Sequence, residues 1–225
     1  MMLILKKEKL PMKKLIALAL TLSLALTVSL LTACGSSTSS AASASSAAAA
    51  SGSASSSVDM PEITEGSCEA PIVVTSIGQS ADVDIVDTLC SKAGLTVYTK
   101  ATLSADELTD QYKTLILAVG GSSKGLGAAG IDADQELTRT NDLLAKAKDL
   151  GITIVATHTG GSARRGTLSD KFITPAFTAA NLAIVVSEGD SDDMMANILS
   201  ANNTPSAYVD QATDVIPVLK TMFGA

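Results

Sequence analysis

From Pro71 onward, short and almost continuously hydrophobic runs alternate with longer stretches in which apolar residues recur every three or four positions. The first rhythm suits strands buried on both faces and the second suits amphipathic helices. Their alternation is that of βαβ units around a parallel sheet. The runs predict strands at Ile72–Ser76, Leu95–Thr99, Thr114–Val119, Ile152–Thr157 and Leu182–Ser187, with Ala207–Val209 a weaker sixth. Helical spacing covers Asp82–Ala93, Asp134–Leu150, Ser169–Ala180, Asp192–Ser200 and Thr213–Met222. Val86, Leu89, Cys90 and Ala93 share one face of the first helix, and Leu137, Leu144 and Ala147 face inward on the second, which Gly151 ends. Asp192 and Thr213 suit the N-caps of the last two helices, and Thr174-Pro175 predicts a kink or restart in the third. The expected fold is α/β: a doubly wound, three-layer domain with a mostly parallel sheet of five or six strands, flavodoxin-like or Rossmann-like.

The part before this domain has a different pattern. Lys13 and Lys14 precede an apolar run, Leu15–Leu30, broken only by small hydroxyl residues, and Leu31-Thr32-Ala33-Cys34 closes it. The run is short for a membrane span and stops at a cleavage-type sequence. It resembles the lipobox of bacterial lipoprotein signal peptides. That resemblance implies removal of residues 1–33, with translation starting at Met12, and acylation of Cys34 as the new N-terminus. Residues 34–59 then hold the lipidated Cys34 and an Ala/Ser-rich stretch with nothing large to bury, expected to act as a flexible tether reaching about 25 Å. Residues 60–225 form one domain, long enough for a real core. The expected location is extracytoplasmic, lipid-anchored to the cell membrane.

Charge narrows the choice of partners. The chain has 16 Lys and Arg against 23 Asp and Glu, and residues 1–33 hold five of the bases and one of the acids. The remainder carries a net −11, which disfavours nucleic acid and anionic headgroups and leaves membrane attachment to acyl chains. Beyond the lipidation site stand Cys68 and Cys90, both expected at the N-terminal edge of the sheet. They form either a disulfide closing 22 residues, worth about 3 kcal/mol, or a pair in which Cys90 is a small buried hydrophobe. One histidine and no cysteine pair at ligand spacing give no basis for a metal site, and no cofactor is expected.

Open parallel sheets bind ligands beyond the carboxyl ends of their strands. The segments in those places here are rich in glycine, serine and base: Gly78, Gln79 and Ser80 after the first strand; Gly120, Gly121, Ser122, Ser123 and Lys124 after the third; His158, Gly160, Gly161, Ser162, Arg164 and Arg165 after the fourth. Backbone amides and hydroxyls in such loops can cradle an anion, with Arg164 and Arg165 as forks and Lys124 as a point charge. Alternatively the glycines only turn the chain, and the arginines pair with Asp170 or Glu188. His158 could contact a ligand, act as a general base, or be satisfied by loop backbone. Ser80 and Ser162 are conceivable nucleophiles, but no G-x-S-x-G elbow is present. Gly125–Gly130 spells G-x-G-x-x-G in the wrong place for a dinucleotide fold, and Gly120–Lys124 lacks P-loop order.

The lipobox leader, the Ala/Ser tether, GGSSKGLGAAGID and HTGGSARRGTLSDKF together resemble a small bacterial lipoprotein family known only as a domain of unknown function. The resemblance spans roughly Pro71 to Phe223. Similar sequences often have an acid where this chain has Ser162. The resemblance implies a shared loop apparatus and carries no activity with it. The function expected from the residues is binding of a small anionic solute, in a membrane-anchored lipoprotein that feeds or informs a transporter or sensor. The competing expectations are a hydrolase or transferase acting on an anionic substrate in the same pocket, and a partner-binding envelope lipoprotein without a small ligand.

Overall fold

The computed structural model describes residues 60–225. Cys34, the leader and the tether lie outside the described residues. All six strands belong to one parallel sheet: β1 (Ile72–Ile77), β2 (Val97–Thr99), β3 (Thr114–Val119), β4 (Thr153–His158), β5 (Leu182–Val186) and β6 (Ser206–Val209), in the order β2-β1-β3-β4-β5-β6. β1, β3 and β5 are buried along their whole length, as their unbroken apolar runs require. The chain steps outward from β1 to β2 and then returns past β1 to β3. The switch in strand order therefore falls between β1 and β3.

Alternate strand residues feed two cores. Val73, Ile77, Leu115, Leu117 and Ile154 pack one face of the sheet beneath α3 (Ala133–Asp149), α4 (Thr167–Ala179) and α5 (Met194–Ala201). Val74, Ile116, Ala118 and Ile184 pack the other face beneath α1 (Asp82–Lys92) and α6 (Val215–Phe223). Phe172 and Phe177 are the only phenylalanines in the first cluster, which is otherwise aliphatic apart from its methionine. Each cluster is continuous across several elements. The result is the expected three-layer, doubly wound α/β fold.

Four local expectations need correction. The glycine-rich segment after β3 contains a helix, α2 (Ser123–Ala129): Ser122 accepts a hydrogen bond from the Gly125 amide at 3.0 Å, and Gly130 closes the helix at φ 72°. Pro175 does not interrupt α4, whose buried Phe172, Ile173, Ala176 and Phe177 hold it together across the missing amide. α5 is capped mainly by Asp190, which accepts from the Met195 and Ala196 amides at 2.7 and 2.8 Å, whereas Asp192 reaches only the Met194 amide, at 3.4 Å, and pairs chiefly with Arg165. α6 starts after a short 3₁₀ turn, so Asp214 takes the N-cap position expected for Thr213.

Cys68 and Cys90 are both buried in the second core, as free thiols and not as a disulfide. Burial pushes Cys68 up to about 11 and Cys90 up to about 12, so both remain protonated and serve as small apolar groups.

Candidate functional site

The β1–α1 turn shows how the switch-point edge is built. Gly78 has φ 94°, and a Cβ there would sit 2.5 Å from the Gly120 carbonyl oxygen, so β1 and β3 leave the sheet in backbone contact. Gln79 follows at φ 57°, a left-handed conformation rare for a residue with a side chain. Its strain is held by Glu136, a fully buried carboxylate on the inward face of α3. Glu136 Oε1 accepts from the Gly78 amide at 2.9 Å and from Gln79 Nε2 at 3.1 Å. Arg139, one turn further along α3, neutralises it through Nε (2.8 Å) and a terminal nitrogen (2.6 Å), and binds the carbonyls of Ser76 and Leu103. This buried, fully bonded ion pair is the only kind that repays its desolvation.

A second buried carboxylate lies next to it. Asp82, the first residue of α1, is buried and accepts from Arg164 Nε at 3.0 and 3.2 Å. It fits because its neighbours have no side chains: a Cβ on Gly120 or on Gly160 would stand 2.9 Å from Asp82 Oδ2. Ser80 is buried in the same turn, its Oγ accepting from the Asp82 amide at 3.3 Å. Gly121 donates to Ser169 Oγ at 2.9 Å and pairs with Gln79 in an isolated bridge, which ties the β3 loop to α4 and to the β1 turn. Gly78, Gln79, Ser80, Gly120, Gly121 and Gly160 thus converge around Asp82 and Glu136.

The basic residues behave differently from one another. Arg165 is saturated: it donates to Asp170 at 2.9 Å, to the Gly189 carbonyl at 2.6 Å, and to both Asp192 oxygens at 2.9 Å. These bonds, Asp192 first, raise its pKa and hold the Asp192 carboxyl below its usual range. Arg165 is therefore a clasp between the β4 and β5 loops, not a free anion ligand, and its pairing with Asp170 follows the alternative drawn from the sequence. Arg164 spends only Nε on Asp82. Its side chain is 34% exposed, and its two terminal nitrogens have no acceptor among the described residues. Lys124 and Ser123 stand exposed on the first turn of α2, and Ser122 is used as its cap.

The remaining candidates are engaged with other parts of the protein, Ser162 at the surface and His158 in the interior. Ser162 Oγ donates to Glu188 at 2.6 Å, beside Gly161 at φ 57°. His158 is 0% exposed, with Nε2 at 3.2 Å from the Arg164 carbonyl and Nδ1 without a hydrogen-bond partner. Burial is the main cause that lowers its pKa, with Arg165 nearby acting in the same direction. A Cβ on Gly189 would lie 2.6 Å from Nδ1, so the β5 loop packs directly on the imidazole. Among the described residues no hydrogen bond joins His158 to a serine hydroxyl, and no group of three potential metal ligands occurs.

Sequence reasoning missed Asp82, Glu136, Arg139 and Asp190. Glu136 had a readable signal, because it shares the helical spacing of the buried Thr140, Leu143, Leu144 and Ala147. Asp82 had none beyond its place at the start of a helix; what buries it is the approach of two glycines from other strands.

Two solved structures show a weak likeness to the chain. A GDSL-like lipase from Bacteroides thetaiotaomicron is 9% identical, with a TM-score of 0.31, and the match covers 61% of this chain and 66% of the lipase, just under two thirds of its length. The esterase AlinE4, of the SGNH-hydrolase family, is 8% identical with a TM-score of 0.28, over 64% of this chain and 78% of the esterase. No curated protein matches the chain. The model of the family described as "Domain of unknown function (DUF6305)" matches residues 69–223, which include every loop of this edge, and the chain belongs to that family.

Proposed function

We propose that the domain is the binding head of a lipid-anchored, extracytoplasmic lipoprotein that takes a small carboxylate- or phosphate-bearing solute at the carboxyl edge of its sheet and passes it, or the signal of its presence, to a transporter or sensor. The observation that carries this reading is the state of Arg164. The buried Asp82 holds the guanidinium by Nε and leaves the two terminal amino groups, four N–H donors, without an acceptor among the described residues. An arginine fixed in this way loses little freedom when it takes a planar anion bidentately. Lys124 adds attraction from the first turn of α2. Arg165 and Ser162 shape the rim instead of touching ligand, and His158 forms part of the floor. A serine–histidine hydrolase at this edge would need a hydroxyl on the imidazole, whereas His158 Nε2 meets the Arg164 carbonyl and Nδ1 is covered by Gly189.

The test is a thermal-shift panel of carboxylates, phosphates and sulfonates on the chain from Gly35 onward, with Arg164→Lys alongside. The lysine retains the charge opposite Asp82 but has no fork. A ligand at about a hundred times its dissociation constant adds about 2.7 kcal/mol, or roughly 5–10 °C for a domain of this size. A shift present in the parent and lost in Arg164→Lys supports the reading. A cooperative melt that no anion moves sinks it.

A further inference from the structure

β4 and β5 end side by side, and the loops that leave them close over one buried group. His158, the last residue of β4, stands in register with Val185 of β5 and is fully buried. A carbonyl can only accept, so the 3.2 Å contact with the Arg164 carbonyl puts the proton of the neutral ring on Nε2 and the lone pair on Nδ1. Among the described residues nothing donates to that lone pair. Gly189 stands there instead: a Cβ on it would come within 2.6 Å of Nδ1 and 2.7 Å of Cε1, so one of its C–H bonds points at this edge of the ring.

This seat fits a neutral imidazole and has no place for the charged form. An imidazolium carries an N–H on both nitrogens. The one on Nδ1 would face a C–H, buried and without an acceptor. The surrounding charges do not supply one. Arg165, on the β4 loop, opposes a second positive charge. Asp82 of α1 and Asp190 of the β5 loop favour it, but Asp82 is bonded to Arg164, and Asp190 is bonded to the Met195 and Ala196 amides and the Tyr208 hydroxyl. Asp170 of α4 and Asp192 are bonded to Arg165, and Glu188 accepts from Ser162. Between its anchors at β5 and Asp190, the β5 loop is tied to the β4 loop by two side-chain bonds, Ser162 to Glu188 and Arg165 to the Gly189 carbonyl.

We propose that His158 is the latch of an acid-sensitive flap: a proton taken up at Nδ1 drives residues 187–189 off the imidazole, admits water to Nδ1 and loosens the β4 loop that carries Arg164 and Arg165. The outer tie persists while this happens, because Arg165 keeps Asp192 ionised to below its ordinary 3.8. The flap therefore swings between fixed ends, and the domain does not unfold. The device works without a ligand, so it stands or falls separately from the anion site.

The test uses the full chain in phosphatidylcholine nanodiscs without a histidine tag, so that isotope-labelled histidine gives a single imidazole signal by NMR. Hydrogen exchange, read by mass spectrometry, follows residues 159–165 and 187–193 over the same pH range. The ring should show the Nε2–H tautomer near neutrality and titrate below 6.5, and exchange in both segments should rise with its protonated fraction. At about pH 5 both segments should exchange about tenfold or more faster than in His158→Gln, and at about pH 7.5 the two proteins should agree. Glutamine keeps an N–H for the Arg164 carbonyl and does not titrate, and a comparison at one pH cancels the intrinsic pH dependence of exchange. β1 and β3 should stay protected throughout, which separates flap motion from unfolding. A ring that titrates while both segments stay protected overturns the flap. So does a ring that titrates only when β1 and β3 lose protection, or an equal acceleration in His158→Gln. If a thermal melt shows His158→Gln unfolded, the parent alone decides: coincident midpoints for the imidazole and the two segments support the latch, and separate midpoints overturn it.

Discussion

Gly189 and His158 show how tightly single residues are set at this edge. A methyl group on Gly189 would stand 2.6 Å from Nδ1 of a histidine that is fully buried and cannot swing aside. Gly189→Ala should therefore cost about 1–3 kcal/mol, measured by urea unfolding, and an unchanged midpoint would refute the packing. The same histidine sets a pH dependence. Its folded pKa lies below the ordinary 6.5, so in the acid range the unfolded chain binds the proton more readily than the folded one. Its contribution is complete above pH about 6.5 and is lost as pH falls below that value. The melting temperature should decline between pH 7 and 5, and His158→Gln should flatten that decline; a variant with the parent's slope would place the titration elsewhere. Asp192, held below its ordinary 3.8 by Arg165, adds a further loss only at lower pH. None of this was legible in the sequence. His158 stood out as the lone histidine, but its burial and its unpartnered nitrogen depend on Gly189, thirty-one positions away.

Among the elements, the long strands and helices were readable because burial leaves a periodic trace, and their bounds agree with the structure to within about two residues. α2 was not readable. Its glycines suggest a loop, yet Gly125 is required because a Cβ there would come within 1.8 Å of the Gln79 carbonyl oxygen. The composition that argued against a helix is the composition that lets the helix press against the β1 turn. α3 shows the reverse case: its inward face was recognised, but the polar member of that face was overlooked. Glu136 and Arg139 clamp the β1 turn to α3, and Glu136→Ala removes one partner of a buried pair. The expected cost is about 3–5 kcal/mol in urea unfolding, together with loss of the ligand-induced thermal shift, because the Gly78 amide and the Gln79 side chain then lose their shared buried acceptor. A variant of parental stability would mean that the clamp is ornamental.

For the molecule as a whole, the lipoprotein reading predicts that palmitate supplied to expressing cells labels the full chain and that Cys34→Ser abolishes both the label and the membrane fraction. Label retained in Cys34→Ser would refute acylation at this cysteine. By itself the sequence determined the class of the domain, the parallel layering and the edge where loops gather, because hydrophobic periodicity and the chirality of βαβ crossovers are local properties of the chain. It also determined the acidic charge balance and the shortage of aromatic side chains. Only the tertiary structure decided which charges are spent and which are free. Arg164 and Arg165 are adjacent and indistinguishable as text, yet Arg165 is closed off by acids from the next loop and from α4, while Arg164 meets a single carboxylate from α1. Pairings between distant segments are set by the geometry of packing, and no window along the chain contains them.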